Sequence, residues 1–399
     1  MASATHVLIA GGGIGGLAAA LSVAKQGRRT TVLERRSEFT ELGAGIQLAP
    51  NAFRMLDLLG VGDEVRKRAV HVEELRCMDG TTGEHVASMA LTSAYRRRFR
   101  NPYSVVHRID LYQPLLDACR REDLIELRTS CAVVGYRQDV AQVTVVLDSG
   151  QKVTAAALIG ADGLRSVVRQ QVVGDGEPVV SGQTIYRSLL PMDRVPEELR
   201  WNAVVLWAGP GWNFVHYPVG GGSLLNLAAT RDDGASRAMA GLPAEKAHVM
   251  AQFPQVHDSA RQLLDLGEEW RSWVLCDREP HSGWTDGRVA LLGDAAHPML
   301  QYATQGAAMA LEDAVLIGAL LDCGRDEVVQ RLEKYNGERR ERTARAQRVS
   351  RELVPTVFHP AGDAAQQRNA TLSSFTEDDF YDKVAWLHGF RDITPTTGP

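Results

Sequence analysis

The chain has 399 residues, long for one hydrophobic core, so its length predicts two domains. A formal net charge of -5 with 23% charged residues offers no whole-molecule attraction to nucleic acid or to an anionic membrane. Five cysteines without a C-x-x-C pair predict a reduced, cytoplasmic protein, and an apolar start that runs straight into glycines predicts neither a signal peptide nor a membrane span.

Val7 to Ala10 reads as a buried parallel strand, followed by Gly11, Gly13 and Gly16 in G-x-G-x-x-G order and an Ala-rich helix from Leu17 to Ala24. Gly11 permits the tight turn, Gly13 leaves room for a pyrophosphate against bare backbone, and Gly16 lets the helix pack closely; the phosphates sit at the helix N-terminus. A second strand, Thr30 to Leu33, ends in Glu34, placed to accept both ribose hydroxyls of an adenosine. Arg35 and Arg36 follow. Phe39 to Asn51 reads as a Gly-rich loop against a ligand or the sheet, with Asn51 capping a helix from Ala52 to Leu59.

Val72 to Cys77 and Glu84 to Met89 read as strands joined by a turn at Asp79-Gly80, and four arginines between Tyr95 and Arg100 as a solvated basic face or, in part, a guide for an anionic substrate or nicotinamide phosphate. Asp110 is placed to cap a helix over Tyr112 to Arg120. Arg108, where strand becomes helix, suits either a cofactor phosphate or a surface salt bridge. Leu124 to Leu147 reads as two strands and Ala155 to Gly160 as another apolar strand; Asp162-Gly163 then turns the chain into a helix opened by Ser166.

From 180 to 275 the texture changes to successive strands with Gly-rich connections, a mostly antiparallel sheet with crowded tryptophans. In Trp212 to Pro218 the period of two puts Asn213 and Tyr217 on one face and His216 on the other, and Pro218 predicts that the strand lies at an edge or ends there. Val289 to Leu292 is one more buried strand. Gly293-Asp294 turns sharply, Gln301 and Tyr302 lie in the loop beyond, and Gln305 to Ile317 is an Ala-rich helix. The helix carrying Arg339, Arg340, Arg342 and Arg345 reads as solvated, and the last residues, 394–399, as a frayed tail.

Three fingerprints together, the glycine triplet with Glu34, Asp162-Gly163 and Gly293-Asp294-Ala-Ala-His-Pro298, resemble the single-component flavoprotein aromatic hydroxylases. The resemblance implies an α/β protein of the p-hydroxybenzoate hydroxylase fold: a Rossmann-like FAD-binding domain (1–70, 101–180 and 276–350), an inserted, mostly antiparallel substrate-binding sheet (71–100 and 181–275), and C-terminal helices and tail (351–399). It places the ADP part of FAD on Gly11, Gly13, Ile14, Gly15, Gly16, Glu34, Arg35 and Arg108. The ribityl chain falls on Asp294, the isoalloxazine on Gly306 and Ala307 with Gln47 nearby, and Asp162 is associated with both FAD and NADH or NADPH.

The loop His297 to Gly306 looks most like that of the 3-hydroxybenzoate 6-hydroxylases, whose active-site glutamine and tyrosine fall on Gln301 and Tyr217. Those enzymes carry a histidine four residues before that tyrosine, where this chain has Asn213. Three explanations stand open: Tyr217 serves with a water relay, His216 is reoriented by a bulge, or the ring substrate differs. The implied reaction hydroxylates an aromatic acid with NAD(P)H and O2 through a flavin C4a-hydroperoxide, giving gentisate from 3-hydroxybenzoate, in a homodimer. Salicylate 1-hydroxylase and 6-hydroxynicotinate 3-monooxygenase are the neighbouring alternatives. A FAD-dependent dehydrogenase or reductase and a nonenzymatic FAD-binding protein are those of another class.

Overall fold

Two large sheets carry the molecule, and the computed structural model describes residues 6–41, 43–391 and 393. The six-stranded sheet runs Thr285–Asp286, Val289–Leu291, Ala157–Gly160, Val7–Ala10, Thr30–Leu33, Ile125–Arg128, parallel except for the first pair. Val7–Ala10 lies near its middle with every residue buried, as a short apolar run flanked on both sides requires.

The first helix, Ile14–Lys25, begins three residues earlier than its Ala-rich core suggested, because Gly15 and Gly16 are already helical. A Cβ on Gly16 would lie 2.0 Å from the Gly11 carbonyl oxygen, so close packing is obligatory there. Against this helix packs Gly306–Leu320, and a Cβ on Gly318 would come within 2.0 Å of Ser22 Oγ. Small residues on both helices thus bring their backbones together, and the buried Leu17, Leu311 and Leu316 around them each contribute roughly 1.5–3 kcal/mol.

The second large sheet has eight strands in the order Ala240–Pro243, Arg271–Asp277, Val179–Pro191, Leu224–Ala235, Trp212–Val219, Ala203–Gly209, Glu74–Asp79, His85–Ala90. All its pairs are antiparallel except Ala203–Gly209 with Glu74–Asp79. Trp212–Val219 is therefore an interior strand, not an edge. Pro218 is tolerated because the strand stops one residue later, at Val219.

Several local expectations are corrected. The segment read as a Gly-rich loop contains the strand Gly45–Leu48, paired with Ser104–His107. Asn51 does not cap the next helix, which starts at Pro50; a proline at the first helical position loses no needed N–H. Instead Asn51 is buried and donates to Gln305 Oε1 (2.9 Å) and Glu312 Oε1 (2.8 Å). Asp110 is inside the first turn of Arg108–Arg121 and makes no cap; His107 holds the cap position. Residues 124–147 hold three strands, not two: Ile125–Arg128 joins the parallel sheet, while Val133–Gln138 and Val143–Leu147 form a separate small sheet with Lys152–Ala155.

The helix Val328–Leu353 is not a solvated charged rod. Arg339 is 2% exposed and donates to Glu312 Oε2 and Asp313 Oδ1, each at 2.7 Å, and Arg342 reaches Glu312 as well. Two adjacent carboxylates in an otherwise apolar helix need cations, and these arginines supply them. Arg340 and Arg345 are exposed, as read from the sequence. The expected frayed tail, 394–399, lies outside the described residues. Among those described, no helix is long and apolar enough to cross a membrane.

Candidate active site

A cavity of about 1170 Å³ runs from the end of the parallel sheet to the face of the eight-stranded one. Small-ligand sites span roughly 300–1,000 Å³, so this one has room for a dinucleotide and a small ring beside it.

At one end lie residues 11–15, with the open side of Gly13 facing nothing within 4 Å. The first helix has no side-chain cap, so its N-terminal N–H groups remain for an anion. Glu34 is fixed at the cavity wall, where Oε2 accepts from Gly12 N at 2.8 Å and Oε1 from Arg36 N at 2.9 Å. Arg35 lines the wall beside it. Arg108 lines it too, while Nε donates to Glu41 Oε2 at 2.8 Å. Asp162 accepts from Ser166 Oγ and from Val167 N at 2.8 Å, so it braces the next helix at the cavity edge; burial raises its pKa, opposed by those hydrogen bonds.

In the middle stand Asp294 and the start of Gly306–Leu320, with Gly306, Ala307 and Gln47 on the wall. That helix also lacks a side-chain cap. An uncapped helix start at one end and another in the middle, a carboxylate on the wall beside the first and a further acid beside the second, fit FAD. The Gly293 turn is held from behind: Asp313 accepts from Gly293 N (3.1 Å), His297 Nε2 (2.5 Å) and Arg339. Burial pushes the Asp313 carboxyl up, but His297 and Arg339 outweigh it and hold it at about 2.

The other end is laid out by strand pairing. Three rows of neighbours cross the sheet: Ala208–Asn213–Thr230, Leu206–Val215–Ala228 and Tyr217–Asn226. The first and third carry polar groups, and the middle row is an apolar floor. Asn213 and Tyr217 are four residues apart on one face, roughly 13 Å along the strand. Gln301 overhangs the first row, its Nε2 donating to Thr230 Oγ1 (3.2 Å) and its Oε1 accepting from Arg187 Nη2 (2.7 Å). Burial pushes the Tyr217 hydroxyl up to about 12, against the pull of Arg187, so it is a proton-bearing donor at neutral pH and not a base.

His216 points away from the cavity and is absent from its lining. The ladders on both sides of 212–219 run without a register shift, so no bulge reorients it. It packs among Trp201, Trp207 and Phe214, and burial, with Arg76, depresses its pKa to about 3. Sequence reasoning missed Arg187, a cation in the otherwise polar-to-apolar run Gln183-Thr-Ile-Tyr-Arg-Ser-Leu189; a charge inside a central strand was the available signal. It also missed His359, whose Nε2 lies 2.7 Å from Asn213 Oδ1, and that one of the expected C-terminal helices, Glu377–His388, brings Lys383, Trp386 and His388 to the cavity wall.

A nucleotide cradle at the parallel sheet, opening onto a ring-sized pocket on a second sheet, defines a flavoprotein of the aromatic hydroxylase type. Residues 4–350 match the FAD binding domain family, and the chain belongs to it. It is 48% identical to 3-hydroxybenzoate 6-hydroxylase 1 of Aquipseudomonas alcaligenes over 97% of this chain and 98% of the relative, and 43% identical to the 3-hydroxybenzoate 6-hydroxylase of Klebsiella oxytoca over 98% of each. A solved salicylate hydroxylase substrate complex superposes with TM-score 0.84 at 23% identity, covering 98% of this chain and 96% of that one, which shows the shared fold.

Proposed function

We propose that this protein is a 3-hydroxybenzoate 6-hydroxylase, an FAD-dependent monooxygenase that uses NADH or NADPH and O2 and releases gentisate. The observation that carries the reading is the 48% identity to such an enzyme over nearly the whole chain, in a site where polar groups flank an apolar floor able to take a ring. The phenol oxygen lies at Asn213 and Gln301, the ring on Val215, Leu206 and Ala228, and the carboxylate at Tyr217. Arg187 stands beside both Gln301 and Tyr217 and offsets the substrate's negative charge.

Gly11 to Gly16, Glu34 and Arg35 hold the nucleotide of FAD, and Asp294, Gly306 and Ala307 its flavin half; the bound cofactor supplies the activation of O2 by electrons from the nicotinamide. The protein's own tasks are orientation, exclusion of water and support of the phenolate form, whose ring is more electron-rich. Attack para to the hydroxyl leaves the carboxylate untouched.

Purified protein is expected to oxidise NADH faster with 3-hydroxybenzoate than with other hydroxybenzoates and to yield a product of gentisate mass. Release of labelled CO2 from carboxyl-labelled substrate in step with NADH oxidation points instead to decarboxylative, salicylate-type hydroxylation. A cytoplasmic homodimer is part of the same proposal, and size-exclusion chromatography tests the dimer.

A further inference from the structure

The cavity face of Asn213 has a back, and the back is ionisable. His359 follows the π-helical turn Val354–Phe358, a rare geometry found mostly at functional sites. It is 7% exposed. Its Nε2 is 2.7 Å from Asn213 Oδ1 and its Nδ1 is 3.0 Å from Asp232 Oδ2. Its main chain is anchored too, with Gly211 N donating to its carbonyl at 3.3 Å.

A carboxylate only accepts, so Nδ1 carries a hydrogen, and the state of Nε2 alone is free to change. If the ring is neutral, Nε2 accepts from the Asn213 amide NH2, and Oδ1 turns to the cavity as an acceptor for a phenol O–H. If the ring is charged, Nε2 donates to Oδ1 across the 2.7 Å contact, and the NH2 turns to the cavity as a donor for a phenolate. We propose that Asp232, His359 and Asn213 form a relay in which the charge of His359 sets which end of the Asn213 amide meets the substrate oxygen, and so favours the ionised phenol. His359 and Asp232 are positioning residues; they act through Asn213. One proton leaves the phenol oxygen for solvent and one is taken from solvent by Nε2, so the net charge of the pair is unchanged.

The other groups around His359 do not compete for this role. Tyr302, from the turn Gln301–Ala303, presents its ring edge at 5.7 Å, and burial drives its hydroxyl far above the usual range. Its O–H donates to Gln183 Oε1 at 2.7 Å, on the neighbouring strand. Arg231 lies next to Asp232, and Arg368 donates to the Val357 carbonyl at 2.8 Å; a guanidinium is a donor only and offers no acceptor to His359. Burial pushes Asp232 up, but its hydrogen bond and attraction to His359 outweigh this and lower its pKa, so it stays a carboxylate.

The relay rests on the 3-hydroxybenzoate reading, and the test separates the two. The phenolate fraction of 3-hydroxybenzoate bound to oxidised, FAD-loaded protein is read by ultraviolet difference spectra from pH 6 to 9, in wild type, His359→Gln and Asp232→Asn. The variants are expected to keep FAD and bind substrate with Kd within about threefold, while the phenolate midpoint moves up by about one pH unit or more and kcat falls about tenfold, the loss of one hydrogen bond to a charged group. Wild-type midpoints and coupling in His359→Gln overturn the relay. If wild type does not respond to 3-hydroxybenzoate at all, the substrate reading fails. The relay is then judged by imidazole 15N spectra of the substrate-free holoenzyme: a His359 Nδ1–H signal kept across this pH range and weakened in Asp232→Asn supports it, and its absence in wild type overturns it.

Discussion

The nucleotide end and the ring end of the cavity are built by different means. At the nucleotide end the working groups are backbone N–H donors and one carboxylate, and the bond that fixes that carboxylate, Gly12 to Glu34, spans only 22 residues. At the ring end they are side chains drawn together from afar: Gln301 reaches Arg187 across 114 residues and Asn213 meets His359 across 146. A backbone cradle tolerates little change of shape but much change of neighbour, whereas a side-chain pocket is adjustable one residue at a time. Binding of the shared cofactor sits in the first kind of structure and choice of ring in the second.

The hardest blow to both ends at once is expected from Asp313→Asn, because Asp313 ties the Gly293 turn to Arg339. Removing one partner from a buried ion pair costs about 3–5 kcal/mol, and a large fall in Tm with loss of FAD checks it. The sign with pH follows from the depressed value of about 2. The stabilisation is complete above the ordinary carboxylate value of about 3.9 and is lost as pH falls through that interval. A wild-type melting series between pH 5 and 2, set against the variant, reads it.

Confined to the nucleotide end, Gly16→Ala is expected to cost about 1–3 kcal/mol, since its Cβ has no room beside the Gly11 carbonyl. Gly13→Ala, with open space around it, should leave the apoprotein's Tm unchanged yet weaken FAD, so the two variants separate folding from binding. Glu34→Ala should keep the fold and weaken FAD by about 1.5–3 kcal/mol, measured by titration of the apoprotein. Full FAD retention there counts against the ribose assignment.

At the ring end, Tyr217→Phe should leave FAD untouched, raise the KM for 3-hydroxybenzoate about tenfold, near 1.4 kcal/mol, and divert electrons to hydrogen peroxide. Unchanged yield and rate would remove Tyr217 from the substrate. His216→Phe is expected to do least. The ring is neutral and its Nε2 has no partner among the described residues, so an apolar ring of similar shape should preserve activity and its pH profile.

This contrast also governs what could be read from the chain alone. The strand, glycines and Glu34 are legible because their meaning is local, and the common face of Asn213 and Tyr217 because a strand has a fixed period. Periodicity says nothing of partners. Asn51 looks like a cap until Glu312, 261 residues on, claims its amide, and Arg339 and Arg342 look solvated until two carboxylates inside an Ala-rich helix are counted as needing cations. His359 carried no motif at all; only the folded sheet brings it behind Asn213.

The helix Glu377–His388 has a consequence in time. It supplies one side of the cavity, and it is pinned by Arg342, which donates to the carbonyls of Trp386 (2.5 Å) and Leu387 (3.2 Å), and by the contact of His388 Nδ1 with Tyr95 Oη at 2.8 Å. Chains fold from the N-terminus as they are made. The glycine cradle and the strands of both sheets, all N-terminal to residue 300, thus leave the ribosome before this wall does. Until the helix docks, the cavity has no wall on that side, and FAD would meet a wider entrance than it meets once Arg342 and Tyr95 hold the helix in place.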